Sequence, residues 1–122
     1  MKRFYLFILL FCLCSSLVMA KGATFIDGME DIPLMKGLIQ KVEKTVSFGN
    51  EESRFVEAYL ISSKVGFKKV ETFYKESLPQ LGWTYQGTTD GTVVFYRDSE
   101  SLSIHKESSK PLKLRVTIKN RI

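Results

Sequence analysis

The stretch Ser62-Ser63-Lys64-Val65-Gly66-Phe67-Lys68-Lys69-Val70-Glu71-Thr72-Phe73-Tyr74-Lys75-Glu76-Ser77-Leu78-Pro79-Gln80-Leu81-Gly82 is where the apolar rhythm of the chain changes. Phe67, Val70, Phe73, Tyr74, Leu78 and Leu81 recur at three- and four-residue spacing, which places them on one face of a helix. Ser62 and Ser63 offer hydroxyls for the orphan amides of a first turn, so the pattern predicts a helix over 65–81. Glu71 and Lys75 stand one turn apart for an ion pair on the wet side. Pro79 lacks an amide donor and predicts a kink or stop, and Gly82 suits the left-handed residue that closes a helix.

On both sides of this segment the period is two. Upstream, Val42, Val46 and Phe48 share a face against Lys41, Glu43, Thr45 and Ser47, with Lys44 breaking the apolar side. A turn signal at Gly49-Asn50 follows, and Val56, Ala58 and Leu60 then alternate with Phe55, Glu57, Tyr59 and Ile61. The pair reads as a hairpin. Downstream, Trp83 to Gln86 and Thr92 to Arg97 read as strands joined across Thr88-Thr89-Asp90-Gly91, whose Asp-Gly pair tolerates positive backbone angles. Ser101 to Lys106 follows with Leu102 and Ile104 inward. The last strand, Leu112 to Ile118, sets Leu112, Leu114, Val116 and Ile118 against Lys113, Arg115 and Lys119. The expected fold class is α+β: a mostly antiparallel sheet packed on one helix in the order ββαββββ, helix-grip-like.

The N-terminus carries an address. Lys2 and Arg3 precede an unbroken apolar run, Phe4 to Cys14, and Val18-Met19-Ala20 places short residues three and one before a cut. This is the pattern of a cleavable signal peptide over 1–20, formed as an N-terminal signal helix, and it implies a periplasmic or secreted protein after cleavage near Ala20. An uncleaved anchor is the alternative, although Ser15 and Ser16 break the run short of a membrane span of about 20 residues. A lipid-attachment reading fails on Phe11 before Cys12 and Leu13 before Cys14, where a small residue is needed. Residues 21–31, with Gly22 and Gly28, read as a flexible lead-in anchored at Phe25 and Ile26. The segment Asp31-Ile32-Pro33-Leu34-Met35-Lys36-Gly37-Leu38 reads as extended and tucked against the core, opening a single domain over 32–122.

Removal of residues 1–20 from 122 leaves 102, enough for one modest core, and lowers the formal charge from +5 to +3. That mild excess and the export signal argue against nucleic acid as a partner. Cys12 and Cys14 leave with the signal, so no disulfide is available to the mature chain. One histidine and no remaining thiol argue against zinc and other soft-metal sites, and no cofactor is implied.

Three stretches also carry a resemblance: Ile32-Pro33-Leu34-Met35-Lys36-Gly37-Leu38, Arg54-Phe55-Val56-Glu57-Ala58-Tyr59, and Phe73-Tyr74-Lys75-Glu76-Ser77-Leu78-Pro79-Gln80-Leu81-Gly82-Trp83. Over most of the mature chain it resembles a group of uncharacterised small exported proteins of alphaproteobacteria. That resemblance implies a periplasmic address and a helix-grip type of sheet, and it carries over no catalytic residues. Each motif residue also has a packing reason: large rings near the helix end, a glycine for the reversal and a tryptophan closing the core.

Two features compete for function. Lys113, Arg115, Lys119 and Arg121 form a cationic row, either an interaction surface for a protein, a glycan or an anionic lipid surface, or lysines on a terminal strand guarding a sheet edge; the edge role is the one expected. His105, the only histidine, alternates outward on its strand. A small hydrolase or transferase built on it needs a carboxylate within hydrogen-bond reach in a concave pocket. The reading is a non-catalytic binding or envelope-accessory module, with membrane contact through the signal segment if that segment is uncleaved.

Overall fold

The computed structural model describes residues 24–50 and 52–121. The apolar run, both cysteines and the expected cleavage near Ala20 lie outside the described residues. Within them, β1 (Phe25–Ile26) and β2 (Met29–Pro33) form a small hairpin. β3 (Ile39–Gln40), β4 (Val46–Gly49) and β5 (Arg54–Ser62) precede the helix α1 (Phe67–Ser77). β6 (Thr84–Thr89), β7 (Thr92–Arg97), β8 (Glu100–Ser109) and β9 (Leu112–Asn120) complete the chain. Every pairing is antiparallel, and the main sheet runs β3-β5-β9-β8-β7-β6, with β4 joining β5 on the same side as β3. Among the described residues the fold is α+β, a mostly antiparallel sheet on a single α-helix, and β4 to β9 with α1 follow the expected order.

Alternation puts one face of the sheet in the core. Val56, Ala58, Leu60, Val93, Phe95, Leu102, Ile104, Leu112, Leu114, Val116 and Ile118 are buried there, and Val70 and Tyr74 of α1 with Leu78 just beyond it complete the cluster from the helix side. Tyr74 is fully buried; Phe73 packs on the cluster from a half-buried position, its ring edge-on to Tyr74 at 4.8 Å. The Tyr74 hydroxyl donates to the Pro33 carbonyl at 2.6 Å and accepts from the Met35 amide at 3.3 Å. Helix and β2 exit are thus tied at a point where an unpaired backbone group would be costly.

The helix is shorter than its apolar period. Ser62 Oγ accepts the amides of Lys64 and Val65, so the serine serves the turn before the helix, and Gly66 is the N-cap with no side-chain cap. At the other end Pro79 cannot donate to the α ladder, and Leu78–Leu81 tighten into a 3₁₀ turn closed by Gly82 at φ +95°. Glu71 and Lys75 do not pair. Glu71 accepts a hydrogen bond from Thr88 Oγ1 at 2.7 Å, and Lys75 Nζ lies 4.6 Å from the Tyr85 ring centroid. The expected Asp-Gly turn is present, with Asp90 and Gly91 at φ +50° and +74°.

Three expectations are corrected. The described part of the lead-in, 24–31, is structured: β1–β2 buries Ile26, Met29 and Ile32 completely. The run Val42 to Phe48 is not one core strand. Gln40 spans from the Asp27 backbone to Thr45 Oγ1, Val42–Lys44 form a 3₁₀ turn, and the interrupted strand lies on the sheet edge with its apolar residues exposed. The last strand, β9, is central, flanked by β5 and β8. Its lysines therefore guard no edge.

Candidate binding surface

Among the described residues, the helix and the β1–β2 hairpin leave the opposite face of the sheet uncovered, and strand register orders that face into rows. Ile39 pairs with Ile61, which pairs with Lys113. Phe48 pairs with Phe55, their rings stacked at 5.1 Å; one step beyond the Val56–Ile118 pair, Phe55 comes beside Lys119, itself opposite Ser101. Between these two rows lie Val46 with Glu57 and Thr117, and Tyr59 with Arg115 and His105. The β3–β5 side of the face is thus apolar and its centre cationic and polar.

The polar centre is satisfied internally. Glu57 accepts from the Tyr59 hydroxyl at 2.8 Å and from Thr117 Oγ1 at 3.2 Å, and it lies 3.9 Å from Arg115 Nε. The hydrogen bond to Glu57 raises the pKa of Tyr59, because ionising the phenol would remove the donor beside a carboxylate. Arg115 also meets Glu107 at 3.3 Å. His105 shares a 2.7 Å hydrogen bond between Nδ1 and Thr92 Oγ1, and among the described residues no hydrogen bond or ion pair joins its ring to a carboxylate. The outward orientation read from alternation holds. The pairing that general-base chemistry requires is not formed.

The four residues of the cationic row have different fates. Arg115 is held by two carboxylates. Arg121 donates to the Asp98 carbonyl at 2.8 Å and lies over the Tyr96 ring at 4.1 Å. Lys113 and Lys119 are exposed and join no ion pair among the described residues. Six positions apart along an extended strand, they stand about 20 Å from one another.

Two depressions mark the surface. A shallow groove of about 270 Å³ opens beside Gly87, where a bulge after Tyr85 leaves no side chain above Val94 and Tyr96. A wider cleft of about 930 Å³ opens at the sheet end between Gly28, Gly49, Arg54 and Glu100. Its arginines are already paired: Arg54 donates to Glu100 through Nε at 2.7 Å and Nη2 at 3.1 Å, a contact that raises the arginine pKa, and Arg97 meets Asp31 at 2.7 Å, while Glu52 and Asp98 on its wall join no ion pair among the described residues. His105 lines neither depression. Among the described residues no three His, Cys, Asp or Glu side chains converge as a metal site, and no helix is long and apolar enough to cross a membrane.

Sequence reasoning found the open lysines but missed Ile39, Val46 and Phe48 as surface groups, because alternation separates two faces without saying which one is covered. Comparison of the chain with protein-family models, with curated proteins and with solved structures gives no match.

Proposed function

We propose that this chain is an exported, non-catalytic binding module that meets a component of the cell envelope through the open face of its sheet. The observation that carries the reading is the contrast between the two faces. One is sealed by α1 and the β1–β2 hairpin, while the other presents Ile39, Phe48, Lys113 and Lys119 with nothing over them among the described residues. Uncovered apolar groups beside unpaired cations mark an interaction surface. The signal pattern at 1–20 and the resemblance to small exported alphaproteobacterial proteins support the address.

The test is recovery of the tagged full chain from its native cells under mild detergent, beside a Lys113→Glu/Lys119→Glu variant. The double reversal leaves the buried face untouched, so melting temperature is expected to hold while retention in the envelope fraction falls. Undiminished retention removes the open face as the contact. A mature N-terminus that begins before residue 21 replaces the released module with a tethered one, and a chain confined to the cytoplasm removes the exported module.

A further inference from the structure

We infer that the occupant of the open face is the surface of an anionic lipid bilayer, with the β3–β4 edge entering the interface and the two open lysines meeting headgroup phosphates. The inference rests on the reading of this face as a binding surface and names its partner.

The argument begins with exposure. Ile39 is 66% exposed, Phe48 63%, Val42 52% and Val46 42%; Ile39, Val46 and Phe48 lie on the interrupted edge strand and Val42 in the 3₁₀ turn that interrupts it. Single exposed apolar residues are ordinary; four within ten residues, backed by Ile61 and the Phe48–Phe55 stack, make this edge apolar. Register then fixes what stands beside the patch. Each apolar pair runs into a lysine: Ile39 and Ile61 into Lys113, Phe48 and Phe55 into Lys119. A long cationic stem behind an apolar group is the arrangement that lets ammonium stay at headgroup level while its neighbours enter the acyl boundary.

Charge also decides between occupants. The carboxylates that stand among the rows of the open face are committed, Glu57 to Tyr59, Thr117 and Arg115, and Glu107 to Arg115. A second copy docked by the same face would therefore bring lysines and apolar groups but no open acid from among these rows to match Lys113 and Lys119. Lys44, exposed in the turn between β3 and β4, adds to the same sign. A laterally mobile layer of negative phosphates over hydrocarbon satisfies both components without demanding a shaped counterpart.

The experiment uses the full chain with Phe48→Trp, a conservative change at an exposed ring, and reads emission against the parent chain, whose one tryptophan, Trp83, is buried. The local signal reports position 48 even if the N-terminal apolar run contacts lipid. Vesicles of equal parts phosphatidylglycerol and phosphatidylcholine are expected to shift the added emission to the blue; phosphatidylcholine alone leaves it in place. Adding Lys113→Glu/Lys119→Glu is expected to raise the lipid concentration for half the shift by no less than about 25-fold at low salt, about fivefold for each cation lost, before the repulsion of the two new carboxylates is added. No shift with anionic vesicles overturns the inference, as does an equal shift with phosphatidylcholine alone. A blue shift that grows with protein concentration in the absence of lipid assigns the patch to a self-interface instead. If the vesicle response fails while charge-sensitive retention in the envelope fraction persists, the binding-module reading stands and the lipid is wrong. If the vesicle response is present in a chain that is not exported, the reverse holds.

Discussion

The guanidinium of Arg97 lies over the indole of Trp83, 4.2 Å from its ring, while Nη1 donates to the Leu81 carbonyl at 3.1 Å and Nη2 to Asp31 at 2.7 Å. One side chain at the end of β7 therefore joins the β1–β2 hairpin, the end of the helical segment and the first residue after Gly82. These are three elements that the main sheet ladder does not connect.

Arg97→Ala is expected to destabilise the domain by about 2 kcal/mol, since it removes two charge-assisted hydrogen bonds and a cation–π contact in a partly screened setting. Arg97→Lys recovers only part of this, because an ammonium cannot satisfy Leu81, Asp31 and the ring at once. Urea unfolding of the three chains checks the order. Equal midpoints for all of them remove the clamp.

Burial pushes the Tyr74 phenol well above the ordinary tyrosine range. The folded state keeps its proton where the unfolded chain, near pH 10, releases it, so above that pH the unfolded state binds fewer protons and stability falls as pH rises. The expected slope from this one group is about 1.4 kcal/mol per pH unit, and its contribution is fully present below about pH 10. Tyr74→Phe should cost about 1–3 kcal/mol near neutrality by stranding the Pro33 carbonyl and Met35 amide, and should flatten the alkaline decline by one proton. Denaturation midpoints from about pH 8 to pH 11 measure both effects. Parallel profiles for the two chains would show that the hydroxyl is not where stability meets pH.

Much of this architecture was legible because local rhythm dictates it. The switch at Ser62-Ser63, the inward set Val56, Ala58 and Leu60, and the Asp90-Gly91 turn all depend on neighbours in sequence. What escaped depends on neighbours in space. Pairing of β5 with β9 makes the last strand central, and no local pattern records strand order. The Gln40 amide, which braces Asp27 and Thr45, splits what alternation presents as one strand and leaves Val46 and Phe48 on the wet face. Ile26 and Met29 are buried on a hairpin too short to show a period. At the surface, Lys113 and Lys119 could be picked out by their side of β9, whereas the carboxylates that occupy Arg115 come from β5 and β8 and have no signature beside it.

The ion pairs are expected to differ in worth. Arg54 and Glu100 meet through two hydrogen bonds with both side chains largely covered, while Arg115 reaches its acids at 3.3 and 3.9 Å from a more open position. Glu100→Gln should therefore cost about 1–2 kcal/mol, and Arg115→Gln no more than about 0.5 kcal/mol. Guanidinium is itself a salt that screens such pairs, so urea is the denaturant to use. A larger loss at Arg115 than at Glu100 would mean that the network on the open face, and not the pair at the sheet end, carries the electrostatic stability.

Gly49 determines whether the exposed edge exists. It adopts φ +108°, and a Cβ there would lie 2.8 Å from the Arg54 Cα and run into the Ser53 carbonyl oxygen. The turn cannot yield easily, because Asn50 Oδ1 accepts the amides of Glu52 and Ser53 and the Asn50 amide donates to Ser53 at 3.0 Å. Gly49→Ala is thus expected to cost about 1–3 kcal/mol, released by parting β4 from β5 and not by unfolding the core. The ladder from β5 through β9 and β8 to β7 does not pass through β4. Amide exchange should therefore quicken at Val46 to Gly49 and remain slow in β8 and β9, and the Phe48–Phe55 stack should be lost with the edge. Uniform loss of protection across the sheet would instead make β4 part of the cooperative core.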